Sequence, residues 1–163
     1  HADNLIWLPE RRGVARVGLL DYQDALAGHP AYDLVSLTRD VRRDVPQAVQ
    51  AACRARYLAA SGRPAEGFDA ACAALAAQRN LRILGVFARL WLRDGKPHYL
   101  DHLPRVWRLL EEDLAHPELA GLRRVVADLL PAPTPQMIAR IREAPCPTPL
   151  CCSPPGSARG WGR

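Results

Sequence analysis

The sequence predicts a mainly α-helical protein with one small β-hairpin near its start. Two observations carry this. Short apolar runs at residues 5–8 and 14–20 flank a turn cluster, and beyond about residue 31 apolar residues recur at helical spacing in a stretch rich in Ala, Leu and Arg. The runs read LIWL and VARVGLL, and the PERRG between them holds both Pro and Gly. Pairing two such runs antiparallel needs only a short connection.

The helices follow in order after a loop rich in Gly, Pro, Asp and His. Leu34, Leu37 and Val41 form the apolar stripe of a first helix, and Val49, Cys53 and Tyr57 that of a second, running from near Pro46 to Gly62. A long third helix over about 67–94 is expected to bury Phe68, Cys72, Leu75, Leu84, Phe87 and Trp91. Gly95 ends it, because glycine takes the left-handed dihedrals of a helix C-terminus. Leu103, Trp107, Leu110 and Leu114 mark a fourth helix; Leu119, Leu122, Val126 and Leu129 mark a fifth. A short last one spans Gln136 to Arg142. Five or six helices therefore make one bundle over residues 31–143. From residue 144 to 163 the chain turns rich in Pro, Cys and Gly and has no acidic residue, so it reads as a disordered tail.

The 163 residues suffice for a single hydrophobic core, and 48% hydrophobic with 24% charged residues is a globular balance. The net charge of +5 is spread over several segments with no run of five cations, which argues against nucleic acid as a partner. No apolar run approaches the roughly 20 residues of a membrane span, so no membrane is expected. Five cysteines without a C-x-x-C pair suit free thiols in a reducing cytoplasm better than a disulfide framework or a zinc site.

The chemistry lies at the two ends of the hairpin. Asn4 precedes the first strand and Asp21 follows the second, so antiparallel pairing brings their side chains to one end. An amide oxygen beside a carboxylate is a hard-oxygen pair suited to Mg²⁺, which takes one or two protein oxygens together with substrate phosphates. Asn and Asp are also common in turns, and on spacing alone that plain reading stands beside the metal one.

Context decides between them. HADNLIWL followed by GLLDYQDALAGHPAYDL resembles the C-lobe of the aminoglycoside phosphotransferase family, the choline-kinase-like relatives of protein kinases, over residues 1 to about 143. His1 and Asn4 match the end of the catalytic-loop motif. Asp21, Tyr22 and Asp24 match the metal-binding segment, and Pro30, Asp33 and Leu34 match the helix start that follows. Bacterial sugar-kinase-like members, amino-sugar kinases among them, are those it resembles most. The resemblance implies the C-terminal lobe of a protein-kinase-like α+β fold and an ATP- and Mg²⁺-dependent transfer to a hydroxyl of a small molecule, a sugar or amino sugar. It assigns Asn4 and Asp21 to the metal, Asp24 to the acceptor or its loop, and Asp33 to tying down the catalytic-loop amides.

It also implies that the general base, an Asp five residues before Asn4, and the nucleotide-binding N-terminal lobe lie upstream of His1. The chain alone is accordingly expected to be inactive. The competing expectation is a non-catalytic, kinase-like helical module that binds a partner. Elsewhere, His98 and His102 read as solvated or capping residues, Arg42, Arg43, Arg123 and Arg124 as solvated faces, and Trp7, Trp91 and Trp107 as core.

Overall fold

The hairpin forms where the apolar runs place it. In the computed structural model, which describes residues 2–23 and 26–144, Leu5–Trp7 (β1) pairs antiparallel with Val17–Leu19 (β2). Leu5 faces Leu19, Ile6 faces Gly18 and Trp7 faces Val17. The second strand is shorter than its apolar run because Gly13–Arg16 winds into a 3₁₀ turn, whose last carbonyl accepts the Leu8 N–H at 2.7 Å. Trp7, expected in the core, is 63% exposed. It shares a hairpin face with the exposed Val17 and Leu19. The Arg16 guanidinium lies 5.5 Å from its ring centre, a cation–π contact that covers part of the indole.

Six α-helices follow among the described residues: α1 (Ala31–Thr38), α2 (Gln47–Ser61), α3 (Phe68–Asp94), α4 (Leu103–Leu114), α5 (Ala120–Leu129) and α6 (Pro135–Glu143). This is the mainly α fold with a small hairpin that the sequence predicts, consistent with a kinase-like C-lobe. The stops of α2 and α3 are glycines in the left-handed region, Gly62 at φ 65° and Gly95 at φ 60°, where a side chain would be strained. Thr134 caps α6, its hydroxyl accepting the Met137 N–H at 3.2 Å. The tail expected over residues 144–163 lies, beyond Ala144, outside the described residues.

Two stripes differ from expectation. On α1 the buried residues are Ala31, Val35, Ser36 and Thr38, while Leu37 is exposed. Arg39 leaves helical dihedrals at φ −116°, ψ 37°, so Val41 reaches the core from the following turn instead of from the helix. On α5 only Val126 is buried, and Leu122 and Leu129 face outward.

The core sits between α3 and α4. Phe87, Leu100, Leu103, Val106, Leu109 and Val41 form one cluster; Ala77, Leu110, Leu114 and Val126 form a second. Burial of such side chains at about 1.5–3 kcal/mol each is the main term holding the helices together. Trp91 and Trp107 pack against these clusters as half-buried residues. By contrast α2 buries no side chain fully and is tied to α3 by the Arg54–Asp69 ion pair and the Tyr57–Phe68 ring stack.

One polar knot lies inside this apolar frame. Arg39 Nη2, at the end of α1, donates to Asp113 Oδ1 at 2.6 Å and to the Leu109 carbonyl at 3.0 Å, and its Nη1 donates to Glu112 Oε2 at 2.9 Å. Asn80 Nδ2, 1% exposed on α3, donates to the other Asp113 oxygen at 2.8 Å. Burial pushes the Asp113 carboxyl up to about 6, against the pull of Arg39 and Asn80.

The folded state therefore holds the Asp113 proton between about pH 4 and 6, where the unfolded chain has released it. That contribution to stability is present at low pH and lost as pH rises through 6. Asp113→Asn is expected to flatten the pH dependence of urea unfolding in that window by about 1–3 kcal/mol, at roughly 1.4 kcal/mol per unit. An unchanged slope would contradict the assignment.

Candidate functional site

The hairpin ladder continues beyond its strands. Leu20 N–H donates to the Asn4 carbonyl at 2.9 Å, which seats Asn4 and Asp21 side by side at the open end. There Asn4 Nδ2 donates to Asp21 Oδ2 at 3.1 Å, and Gln23 Nε2 donates to Asp21 Oδ1 at 2.9 Å. The two residues that the sequence singled out, 17 positions apart, are thus in direct contact. Asn4 is half-buried and Asp21 exposed.

Asp21 has φ 57°, the sole positive value of a non-glycine among the described residues. An Asp tolerates the left-handed region better than most, yet the conformation is strained, and such strain concentrates where a side chain must be aimed. The donor set suits a hard cation. Rotating the Asn4 amide turns its oxygen toward Asp21 in place of the nitrogen, giving one neutral and one anionic oxygen at the same end.

Around this pair the remaining candidates sort as follows. Asp24 and His1 lie outside the described residues. Asp33 stands exposed in the first turn of α1, and among the described residues its carboxylate makes no hydrogen bond. The Ala2 amide is held by Asp40, 1% exposed, whose Oδ2 accepts the Ala2 N–H at 3.3 Å and whose Oδ1 accepts the Arg42 N–H at 2.9 Å. Sequence reading missed Asp40, because a single acidic residue after a helix carries no periodic mark of burial.

Arg42 and Arg43, read as solvated, turn back to the 3₁₀ turn Ala2–Asn4. Arg43 Nη2 donates to Asp3 Oδ1 at 2.7 Å, and Arg42 Nε lies 3.8 Å from Asp3 Oδ2. The Arg43 hydrogen bond holds the Asp3 carboxyl below the usual carboxylate range. His98 and His102 pack against the Tyr99 and Phe87 rings, respectively.

A groove of about 730 Å³ runs between α1, α2, α3 and α4. Its cations are already matched by neighbouring carboxylates: Arg39 with Asp113, Arg54 with Asp69, Arg108 with Glu112. No helix among the described residues is long and apolar enough to cross a membrane.

Residues 1–75, which hold the hairpin, the Asn4–Asp21 pair and α1, match the phosphotransferase enzyme family, APH. The chain is 55% identical over 126 residues to the N-acetylmuramate/N-acetylglucosamine kinase of Caulobacter vibrioides, covering 76% of this chain and 34% of that protein. The proteins of that name from Pseudomonas aeruginosa and Neisseria meningitidis are 40% and 37% identical, over 69% and 71% of this chain and 36% and 37% of their own. Residues 1–75 thus carry the match to the APH phosphotransferase family, and the relatives over the longer stretch are named as sugar kinases. It spans about a third of the length of the curated relatives it matches.

The strain at Asp21 gives a direct test. Asp21→Gly removes the left-handed penalty and loses only exposed hydrogen bonds, so stability is expected to hold or rise by up to about 1 kcal/mol in urea unfolding. A loss of more than about 1 kcal/mol would show that Asp21 is a structural residue.

Proposed function

We propose that this chain supplies the metal-binding part of a kinase that transfers the γ-phosphoryl group of ATP to a hydroxyl of an amino sugar. N-acetylmuramate and N-acetylglucosamine, named for its relatives, are the first acceptors to test. The observation that carries this is the Asn4–Asp21 contact at the end of the hairpin, inside the stretch that matches the phosphotransferase family.

In this reading Asn4 and Asp21 hold Mg²⁺, which when bound neutralises charge on the β- and γ-phosphates. Asp21 contributes the negative charge, and Asn4 a neutral oxygen that adds no repulsion toward the nucleotide. Gln23 fixes the rotation of the Asp21 carboxylate, and the strained Asp21 backbone keeps that carboxylate aimed across the hairpin end. The acceptor hydroxyl oxygen forms a bond to the γ-phosphorus as the bond to the β,γ-bridging oxygen breaks, ADP leaving with that bond's electrons and the hydroxyl proton passing to a general base. Transfer rests on positioning and charge stabilisation, so the 163-residue chain without a nucleotide-binding lobe is expected to show no turnover.

The full-length protein is expected to consume ATP in the presence of either sugar. Asp21→Ala and Asn4→Ala should each lower kcat/KM by at least about 100-fold. Undiminished turnover in Asp21→Ala would overturn the metal role. Absence of sugar-dependent ATP consumption would favour a binding module over an enzyme.

A further inference from the structure

We propose that Asp40, Asp3 and Arg43 form a brace that positions Asn4, with Asp40 and Arg43 as positioning residues for the metal site; this rests on the kinase reading above. The 3₁₀ turn Ala2–Asn4 that presents Asn4 is held at both of its preceding residues by one five-residue segment following α1. Asp40 takes the Ala2 N–H, and Arg43 takes the Asp3 carboxylate. The two contacts span 38 and 40 positions of sequence, so they are tertiary links and not local turn chemistry.

Asp40 is buried beside Val41, which belongs to the main core cluster. A buried carboxylate is costly unless it is hydrogen-bonded, and this one spends both oxygens on backbone amides, Ala2 and Arg42. The bond to its own turn shapes residues 40–42; the bond to Ala2 fixes where the loop starts. With Ala2 and Asp3 pinned, the next residue, Asn4, has its backbone set by the Leu20 hydrogen bond and its side chain set against Asp21. Misplacement of a positioned group by about 1 Å can cost a hundredfold in rate, which gives such a brace its leverage.

The test uses the full-length protein with two independent readouts. Hydrogen exchange of the 1–4 segment reports the brace itself; the Mg²⁺ concentration at half-maximal rate reports its effect on the site. Asp40→Asn offers one acceptor oxygen where two are used, and should speed exchange of the segment and raise the Mg²⁺ requirement about tenfold. Asp3→Arg and Arg43→Asp should each do so about fivefold. Because that pair is exposed, neither should move the melting temperature by more than a few degrees.

Combining Asp3→Arg with Arg43→Asp should restore the Mg²⁺ requirement to within about twofold, a rescue that a general loss of structure would not give. Unchanged exchange in Asp40→Asn overturns the brace whatever the activity. Faster exchange with an unaltered Mg²⁺ requirement overturns its link to the metal. If the unsubstituted protein shows no sugar-dependent ATP consumption, the kinase reading fails, and the exchange data identify that outcome separately.

Discussion

The partly buried ion pair between Arg39 and Asp113, completed by Asn80, is the interaction on which the arrangement turns. It joins the end of α1 to α3 and α4 at the point where the chain leaves the helical bundle for the site. Breaking such a pair by removing one partner leaves a buried charge and costs about 3–5 kcal/mol, far more than an exposed pair. The next four residues inherit their placement from it: Asp40 reaches the Ala2 amide, Val41 enters the core, and Arg42 and Arg43 meet Asp3. Bundle and the Asn4–Asp21 pair are thereby coupled through five consecutive residues.

The site itself is stabilised less than it is aimed. Three-residue strands, an exposed Asp21 in the left-handed region and an outward Trp7 contribute little folding energy. What they provide is register: one ladder hydrogen bond beyond the strands fixes which residues meet at the hairpin end. Stability resides in the α3–α4 core, and orientation in the hairpin and the turn that braces it. Such a division is expected where a charged ligand must be received without prior collapse of its two oxygens into a fully satisfied network.

Much of this was legible in the sequence because its signals are local. Gly62 and Gly95 mark the ends of α2 and α3, and the bounds of α4 and α6 follow from periodicity within a residue or two. The Asn4–Asp21 contact was legible because a hairpin returns to its start, which needs no knowledge of the rest of the fold. Asp40 was not, since its burial depends on Val41 and on a loop 38 residues away. Arg39 was missed for the same reason: an arginine at a helix end looks solvated until a partner on α4 is known. Trp7 was misjudged because aromatic character signals burial only if another element covers that face, and the hairpin's outer face stays open. On α1 the stripe was misphased because Arg39 ends the helix before Val41, and no residue there announces the stop.

The central claim is that Asn4 and Asp21 together hold the metal that neutralises the phosphates. A crystal structure of the full-length protein with Mn²⁺ and a non-hydrolysable ATP analogue, read by manganese anomalous scattering, tests it most directly. The account predicts a peak at about 2.0–2.3 Å from the Asn4 amide oxygen and an Asp21 carboxylate oxygen, with phosphate oxygens completing its shell. A peak bound by other side chains, with Asn4 still donating to Asp21, would contradict it.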